Sequence, residues 1–328
     1  MNSTWGTRFR LSVFGESHGE CVGVVIDGLP PGFAVDFEAV RRELERRAPG
    51  RSANATARRE SDEFEVMSGM LNGLTTGAPL MAMCRNADTR SADYEPDLPR
   101  PGHADLVARQ KYGGFNDYRG GGHFSGRLTA PIVFAGAIAK QILFERYRIE
   151  ISARIAEIHG ETDAEKFDAE ITKARDSGDS VGGIVACEAR NVPRGWGEPI
   201  FHSLESNIAA MMFSIPAVKG VEFGDGFGFA QRLGSEASDG LGVDGNGNVV
   251  YLANHNGGIN GGIANGEAVR LRVAIKPTPT ISAEQKTVDL STNTAVTHRF
   301  GGRHDACIVP RAVPVVEAGL AVCLMEYL

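Results

Sequence analysis

The chain has 328 residues, of which 42% are hydrophobic and 23% are charged, and its formal net charge is −7. These proportions are typical of a globular protein with a sizeable core, and they exclude a chain that is disordered throughout. A net negative charge also argues against a nucleic-acid-binding protein, which normally presents a basic face. Glycine is the deviation. The 41 glycines cluster in runs, which favours either many tight turns or a backbone that closely approaches a ligand.

The cysteines and the N-terminal segment indicate a reducing compartment. None of the five cysteines stands in C-x-x-C spacing, and their odd number argues against a disulfide framework or a zinc knuckle. The first residues lack the charged head and apolar stretch of a signal peptide. The longest apolar run, near residues 128–139, is too short to span a bilayer and contains Thr129, Pro131 and Gly136. We therefore expect a cytoplasmic protein with neither a membrane nor a nucleic-acid partner.

Predicted strands and helices alternate along the chain. The strands are rich in β-branched and aromatic residues or alternate in polarity, and they cover residues 9–14, 22–26, 64–71, 79–84, 149–159, 181–188 and 267–275. The first helix begins after Asp36, a typical N-cap, and ends at Pro49. Apolar spacing of three and four residues predicts later helices at 128–147, 164–176, 203–213 and 312–327. This order predicts one α+β domain, residues 1–328, with helices packed on antiparallel sheet.

Two segments lack clear periodicity. Residues 85–126 are rich in glycine and aromatic residues, which predicts an ordered active-site segment rather than disorder. Residues 234–248 are polar and turn-rich, which predicts a loop. A formal G-x-G-x-x-G match at Gly240, Gly242 and Gly245 falls in that loop, before a strand. A dinucleotide site requires a strand before the match and a helix after it, so we reject that interpretation.

Arginines are concentrated in one short part of this acidic chain. Seven fall within nineteen residues: Arg41, Arg42, Arg46, Arg47, Arg51, Arg58 and Arg59. Arginine is the side chain best suited to bidentate capture of phosphate and carboxylate. The alternative is a solvated helix face on which Glu43 and Glu45 pair with the arginines. Arg47 is the best candidate for a binding role, because it lies one turn after Leu44 at the end of the helix.

Three histidines lie in loops beside small or charged neighbours, within residues 17–19, 102–105 and 303–305. Histidine is the usual general acid or base near neutral pH. A structural role and a metal site remain alternatives, although no pair has the i, i+4 spacing of helical metal ligands. Residues 119–126 run from three glycines into a buried helix, whose backbone amides can bind an anion such as a flavin phosphate. Lys276 and the hydroxyls of Thr278 and Thr280 follow a strand and can hold a phosphate.

Taken in order, these segments resemble the chorismate synthase family from about residue 9 to residue 328. The motifs that carry the resemblance are GESHG (15–19), RRAPG (46–50), RPGHAD (100–105), KYGGFNDYRGGG (111–122), AVKGVEFGDGF (217–227), NHNGGINGGI (254–263), KPT (276–278) and GRHDAC (302–307). Agreement of so many long motifs in one order identifies the chain as a member of this family.

The resemblance implies a reaction, a cofactor and a fold. The family removes phosphate and a ring hydrogen from 5-enolpyruvylshikimate 3-phosphate by 1,4-anti elimination, which gives chorismate for aromatic amino acid biosynthesis in the shikimate pathway. It is a carbon–oxygen lyase that requires reduced FMN without net redox change. In the usual account, the reduced flavin lends electron density to expel phosphate, and its N5 then takes up the hydrogen. The implied fold is a β-α-β sandwich, with a helical layer between antiparallel sheets, and the implied assembly is a homotetramer.

The resemblance also implies roles for individual residues. His18 is the general acid for the leaving phosphate, His103 sets the protonation of the flavin, and Asp305 assists proton removal. Ser17 and Ser125 are implied helpers. The implied flavin contacts are His123, Phe124, Ser125, Pro216, Ala217, Gly261, Lys276, Pro277, Thr278, Pro279, Thr280 and Arg303. The expected substrate-binding residues are Arg46, Arg47 and Arg51, and no metal is expected.

The chain departs from the common family pattern at three places. It has GGGHFSGRLT where GGGRSSARET is usual, Ala53 where an arginine is common, and Pro216 within a usual SINAVKG. These changes affect the expected flavin-phosphate and nicotinamide contacts. Some members reduce their own flavin with NADPH and others depend on an external flavin reductase; Ala53 favours external reduction. Two alternatives to the lyase are a non-catalytic flavin- or anion-binding relative and a His/Asp metallohydrolase.

Overall fold

The computed structural model of the protein describes residues 3–48, 62–87, 94–301 and 305–328. The strands, in chain order, are β1 (Thr4–Trp5), β2 (Arg10–Gly15), β3 (Cys21–Asp27), β4 (Glu65–Val66), β5 (Met70–Leu71), β6 (Leu74–Thr75), β7 (Leu80–Arg85), β8 (Glu150–Ile158), β9 (Gly183–Arg190), β10 (Val218–Phe223), β11 (Leu241–Val243), β12 (Val249–Tyr251), β13 (Ile259–Asn260), β14 (Ile263–Ala264), β15 (Val269–Ile275), β16 (Gln285–Asp289) and β17 (Thr294–His298). The helices are α1 (Phe37–Arg47), α2 (Asp105–Lys111), α3 (Thr129–Tyr147), α4 (Phe167–Asp176), α5 (Leu204–Ser214), α6 (Gly234–Ala237) and α7 (Val309–Leu324).

Two larger antiparallel sheets carry the fold. The five-stranded sheet has the order β1-β2-β3-β7-β4, and the four-stranded sheet has the order β10-β15-β9-β8. Further strands pair two by two, as in the hairpin of β11 and β12. Val269, Leu271, Val273 and Ile275 of β15 are buried while the residues between them are more exposed, which is the period-two pattern of a sheet with one face in the core. The fold is therefore mixed α+β, as the sequence predicted.

Helices α3 and α7 connect the two sheets. Helix α3 packs on β2 and β3 of the first sheet, helix α7 packs on β8, β9 and β15 of the second, and the two helices pack against each other. Gly136 makes this close approach possible, because a Cβ atom there would lie 2.3 Å from the Cβ atom of Ala318. One hydrophobic cluster includes residues of both sheets and of these helices. Helix α1 also contacts α3 and α7, which fixes the position of its last residues.

Helix α3 lies within a segment that also meets the length and composition of a membrane span. Gly126–Tyr147 is long and apolar enough to cross a bilayer, so the expectation that the apolar run there is too short is corrected. In the structure, 72% of its apolar window is buried inside the protein. The core helix of a protein is also apolar nearly all round and packed on every side. The composition of this segment is therefore only weak evidence for a membrane span.

Most predicted elements are confirmed, with ends shifted by one to three residues. Asp36 caps α1, because its side chain accepts hydrogen bonds from the backbone of Glu38 and Ala39. The single strand predicted at 64–71 is wrong: β4 and β5 are separate, and the left-handed Gly69 between them packs against Leu80. The loop predicted at 234–248 contains α6 and β11, and residues 85–126 contain α2 and a turn at Arg119–Phe124 whose three glycines have positive φ angles. Turns account for these differences, and the helical and strand periods do not encode turns.

Candidate active site

A cavity of about 640 Å³ lies between the loop before α2, the start of α3, the end of α5, the end of β15 and the start of α7. Its described lining contains six lysine and arginine side chains: Arg47, Arg100, Arg127, Lys219, Lys276 and Arg311. Asp305 is the one acidic residue among the lining residues that the structure describes. Apolar side chains, including Phe124, Phe213 and Ile215, form other parts of the wall. A cavity with this composition suits an anion that also carries a flat apolar surface.

Three glycines separate the two predicted catalytic histidines. Residues 120–122, hereafter the glycine segment, all have positive φ angles, between 53° and 87°. A Cβ atom at Gly120 would lie 2.5 Å from Cδ2 of His18, and one at Gly121 would lie 2.9 Å from Cε1 of His103. Both the left-handed backbone and the contacts therefore require glycine. Gly120 lines the cavity, so His18, only 8% exposed, lies directly behind that wall.

His18 is held in its place by an aromatic neighbour and by the adjacent serine. The ring of Tyr94 meets the His18 imidazole edge to face, with centroids 5.1 Å apart. Ser17 is fully buried, its backbone N–H donates to the carbonyl oxygen of Gly122 at 3.1 Å, and its hydroxyl donates to the carbonyl oxygen of Arg119 at 3.3 Å. These contacts fix the GESHG turn against the glycine segment.

His103 lines the cavity and is tied to two charged neighbours. Its Nδ1 atom lies 2.6 Å from the carboxylate of Asp105, and the guanidinium of Arg100 binds the same carboxylate through Nε and Nη2 at 2.7 and 2.8 Å. Burial alone raises the pKa of Asp105, but the hydrogen bonds from Arg100 and His103 outweigh it and hold that pKa well below its usual range. Asp105 is therefore an ionised hydrogen-bond acceptor for His103.

Two buried arginines share one buried carboxylate on another side of the cavity. Arg47 donates to Asp62 at 2.5 Å, and Arg127 donates to the other oxygen of the same carboxylate. Arg47 also donates to the hydroxyl of Thr129 at 3.1 Å and to the carbonyl oxygen of Gly126 at 3.2 Å. We call Arg47, Asp62 and Arg127 the cavity cluster. It carries two positive charges and one negative charge next to the cavity.

Desolvation governs the electrostatics of the cavity cluster. Burial lowers the pKa of Arg47, and the neighbouring cations Arg311 and Arg127 lower it further against the opposing effect of Asp62. Burial raises the pKa of Asp62, but Arg47 and Arg127 together hold it below its usual value. A bound anion next to this cluster would offset its excess positive charge.

Asp305 and Arg311 form a pair on the α7 side of the cavity. Nη1 of Arg311 donates to the Asp305 carboxylate at 2.6 Å, and Nε of Arg311 donates to the backbone oxygen of Arg47 at 3.1 Å. Asp305 is 8% exposed. Arg311 therefore links the start of α7 to the end of α1 and orients the predicted proton acceptor.

The segment after β15 forms another part of the cavity wall. Lys276 donates to the backbone oxygen of Gly102 at 2.5 Å, which ties the loop that carries His103 to the four-stranded sheet. The hydroxyl of Thr278 is buried and has no hydrogen-bond partner among the described residues. Ala217 has a positive φ of 73°, an uncommon conformation for a residue other than glycine. An unsatisfied buried hydroxyl and a strained backbone are both typical of a ligand site.

The structure brings most of the predicted site residues together. Those that line the cavity are Arg47, His103, His123, Phe124, Ser125, Pro216, Ala217, Lys276, Thr278, Pro279, Thr280 and Asp305. Ser17 and His18 lie behind the glycine segment, and Pro277 and Gly261 are not among the lining residues. Arg46 is also outside the lining, where it donates to Glu317 through two bonds of 2.7 and 2.9 Å. Arg51 and Arg303 lie outside the described residues.

Two further lining side chains are also engaged within the protein. Nδ1 of His123 lies 2.8 Å from the backbone oxygen of Gly15, and its Nε2 lies 3.1 Å from the hydroxyl of Ser3. The hydroxyl of Ser125 accepts a hydrogen bond from the backbone N–H of Arg127. Ser125 therefore caps the short 3₁₀ turn Gly126–Leu128, which precedes α3. Both residues therefore support the local backbone as well as lining the cavity.

Sequence reasoning named few of the charged residues that complete the site. Asp62, Arg127, Lys219 and Arg311 were not candidates, and Arg100 and Asp105 appeared only as parts of a motif. A partial signal existed: Arg127 follows Ser125 by two residues, and Lys219 follows Ala217 by two. Arg127 and Lys219 could have been proposed because each lies close in sequence to a candidate residue. No sequence pattern indicates that Asp62 pairs with Arg47 and Arg127.

Fold and site together define an α+β protein with a deep cationic cavity flanked by two histidines, a class that includes enzymes acting on anionic small molecules. A family model described as chorismate synthase matches residues 9–328. The chain is 48% identical to the chorismate synthase of Korarchaeum cryptofilum over 99% of this chain and 96% of that protein. It is 47% identical to that of Thermococcus gammatolerans, over 98% and 96%. The chain belongs to the chorismate synthase family, as its motifs predicted.

A solved structure supports the same assignment. The structure titled "Crystal Structure of Chorismate Synthase" is similar to this protein with a TM-score of 0.74 and 27% sequence identity, over 98% of this chain and 92% of that chain. A likeness that covers nearly all of both chains shows that the mixed α+β fold is shared. Membership of this family identifies the chain as an enzyme.

Proposed function

We propose that this chain converts 5-enolpyruvylshikimate 3-phosphate to chorismate by 1,4-anti elimination, with reduced FMN as cofactor. The reaction is that of a carbon–oxygen lyase of the shikimate pathway, and we place it in the cytoplasm. The observation that carries the proposal is the charge of the cavity, which has six lysine and arginine side chains and one acidic side chain among its described lining residues. A substrate with one phosphate and two carboxylates matches this excess of positive charge.

The residues of the cavity also fit a reduced flavin. The buried hydroxyl of Thr278 lacks a partner in the described part of the chain and offers a donor to a ligand. Phe124, Ile215 and Pro216 supply apolar surface for a planar ring, and Lys276 supplies positive charge for an anionic one. When bound, reduced flavin supplies the electron density that lets phosphate depart and the acceptor for the ring hydrogen. The residues that would hold it are the lining members of the predicted flavin set.

The protein's own groups have separate tasks in this proposal. His18 donates a proton toward the leaving phosphate, whose charge the cavity cluster offsets. His103 holds or releases a proton on the side of the glycine segment that faces away from His18. Asp305, which Arg311 orients, assists removal of the proton that the elimination releases from the substrate ring. The low exposure of His18 and Asp305 keeps competing water away from these transfers.

The remaining expectations of the family form part of the proposal. The packing of α3 and α7 between the two sheets supports the β-α-β sandwich, and the larger of two hydrophobic clusters, which includes residues of both sheets, supports one domain across residues 1–328. We further propose a homotetramer and a flavin that is reduced by an external reductase rather than by NADPH. Ala53, which motivates the choice of reductant, lies outside the described residues. An anaerobic assay with and without NADPH, in the absence of other reductants, distinguishes the two routes.

The direct test is anaerobic turnover. Purified protein is mixed with chemically reduced FMN and 5-enolpyruvylshikimate 3-phosphate, and both chorismate absorbance and phosphate are followed. We expect the two products in equal amounts, and absence of both would overturn the proposal. Replacing His103 or Asp305 by alanine is expected to lower turnover about 10²- to 10⁴-fold, the usual cost of losing a general acid or base, with little change in KM. His159→Ala is the matched control, because that imidazole is 62% exposed and pairs only with Glu170 among the described residues.

A non-catalytic flavin- or anion-binding relative is the second candidate. It is favoured by His123, whose two ring nitrogens contact protein oxygens at 2.8 and 3.1 Å in a segment where the family pattern differs. This candidate predicts that FMN binds, that no phosphate is released, and that His18→Ala changes neither result. Phosphate release by the unmodified chain would eliminate it.

A further inference from the structure

We propose that Asp105 is a positioning residue that holds the His103 imidazole with its neutral-state proton on Nδ1, so that Nε2 faces the glycine segment and the cavity wall. The placement of the proton follows from the apo geometry alone. Only its consequence for turnover rests on the proposed lyase function. Asp105 is not among the residues that line the cavity, so it acts through His103.

The distances select one tautomer of His103. Nδ1 lies 2.6 Å from the Asp105 carboxylate and 3.1 Å from Nη2 of Arg100. If Nδ1 carried a lone pair, that lone pair would face an ionised oxygen at 2.6 Å, which is repulsive. If Nδ1 carries the proton, the same contact is a short charge-assisted hydrogen bond. The carboxylate therefore favours the proton on Nδ1, and Arg100 donates to Asp105 instead.

Asp105 is itself held rigidly. Besides the contact with His103, its two oxygens accept from the backbone N–H of Arg100 at 3.0 Å and from Nε and Nη2 of the same residue at 2.7 and 2.8 Å. Arg100 in turn lies over the ring of Tyr94 at 5.3 Å and contacts the hydroxyl of Thr280 at 3.4 Å. A carboxylate fixed by a bidentate arginine has little freedom to follow a rotating imidazole, so it fixes the ring instead.

The other ring nitrogen faces the glycine segment. Nε2 of His103 forms no hydrogen bond with any residue that the structure describes, and a Cβ atom at Gly121 would lie 3.1 Å from it. Because Nδ1 is occupied by Asp105, Nε2 is the nitrogen that can exchange a proton with a ligand. The Asp–His pair thus gives the cavity one defined acceptor at neutral pH and one defined donor after protonation.

Asp105→Asn removes the charge and keeps the shape. An asparagine amide can donate to Nδ1, and Arg100, released from the carboxylate, can donate there as well. Both changes favour a lone pair on Nδ1 and move the proton to Nε2, which is the wrong tautomer for a proton acceptor on the cavity side. Asp97→Asn is the matched control: Asp97 precedes the same loop and pairs with Arg109 at 2.7 Å, without contact to His103.

The test reads the tautomer directly. The full chain is labelled with ¹⁵N-histidine and measured by NMR without flavin or substrate at a pH at which the imidazole is neutral. His103→Ala assigns the signal. We expect a protonated Nδ1 in the wild type and in Asp97→Asn, and a protonated Nε2 in Asp105→Asn. A wild-type signal with the proton on Nε2 overturns the proposal by itself, whether or not the Asp105 variant folds, and so does an Asp105→Asn signal that does not change.

Kinetics then tests what the tautomer does. With reduced FMN and 5-enolpyruvylshikimate 3-phosphate, Asp105→Asn is expected to lower kcat about 10²- to 10⁴-fold with KM nearly unchanged, as for other misplaced imidazole protons. Asp97→Asn is expected to keep the wild-type kcat. A changed tautomer with unchanged kcat overturns the functional half of the proposal. If the wild type itself shows no turnover, the lyase proposal fails, while the NMR result still decides the role of Asp105.

Discussion

Arg46 and Arg47 are adjacent in α1, and the side chain of each joins a cluster of charged residues, but the two clusters differ. Arg46 joins Glu43, Lys140 and Glu317 in what we call the helix cluster, between α1, α3 and α7. That cluster has two positive and two negative side chains. The cavity cluster of Arg47, Asp62 and Arg127 has two positive side chains and one negative. Among the residues that the structure describes, the first cluster is balanced, whereas the second has an excess of one positive charge that a bound anion would offset.

The difference separates a structural from a binding use of the same residue types. Glu317 accepts from Arg46, Lys140 and the backbone N–H of Ala153 on β8, so the balanced cluster ties three helices to a sheet. Buried ion pairs are costly to assemble and give little net stability by themselves, but removing one partner is strongly destabilising. An excess of buried charge beside a cavity adds a further cost, which an anionic ligand can relieve. The net charge of a cluster therefore indicates whether its role is structural or ligand-binding better than the number of its arginines does.

The largest expected effect comes from Asp62→Asn. This change leaves two guanidiniums, each 2% exposed, without their shared carboxylate. Breaking such a buried pair typically costs about 3–5 kcal/mol. We expect a loss of this size in the free energy of unfolding, measured by urea denaturation at fixed protein concentration. Inorganic phosphate should restore part of the loss, because an anion can replace the missing charge. A variant as stable as the wild type would show that the cluster is not desolvated.

A smaller loss is expected for Glu317→Gln. Arg46 is 41% and Lys140 is 19% exposed, and both retain Glu43 as a partner. The glutamine oxygen can still accept from Ala153. Loss of one charged partner under these conditions costs about 1–3 kcal/mol. The same urea titration measures it, and added phosphate should not restore stability. A larger loss than for Asp62→Asn would reverse the comparison between the clusters.

The two arginines should separate in substrate binding. Lysine cannot reproduce the three contacts that Arg47 makes with Asp62, Thr129 and Gly126. Arg47→Lys is expected to raise KM for 5-enolpyruvylshikimate 3-phosphate about tenfold, which corresponds to about 1.4 kcal/mol. Arg46→Lys is the neighbouring control and is expected to leave KM unchanged in steady-state assays. Equal effects of the two substitutions would contradict the assignment of Arg46 to the helix cluster.

The smallest effect is a difference in pH dependence. Burial raises the pKa of Glu317, but its bonds to Arg46 and Lys140 outweigh this and lower it below the ordinary value of 4.5. A carboxylate whose pKa is lowered in the folded state contributes stability that is fully present above its unfolded pKa and is lost as pH falls through the folded pKa. Below about pH 4.5, stability of the wild type should therefore fall more steeply than that of Glu317→Gln, by less than about 1.4 kcal/mol per pH unit. Parallel curves from urea titrations between pH 6 and 3 would contradict this.

Prediction from sequence succeeded where one local segment holds all the information. The N-cap at Asp36, the buried helix after Ser125 and the alternating strand before Lys276 were predicted because capping and periodicity are short-range properties. The motif order identified the family, and twelve of the predicted site residues line one cavity. The predicted strand at 64–71 failed because the turn at Gly69 depends on contact with Leu80, which lies on another strand.

The sequence by itself determined the family, the α+β class and the residue types that the site needs. The sequence favoured Arg47 as a binding residue, but only the tertiary structure decided that Arg47 lines the cavity and that Arg46 lies outside the lining. Successive residues of an α-helix point about 100° apart, so Arg46 and Arg47 face different surroundings although they are adjacent in the chain. The surroundings come from distant segments, since Glu317 belongs to α7 and Asp62 follows α1 by fifteen positions. Long-range packing brings these partners together, and no short pattern encodes it.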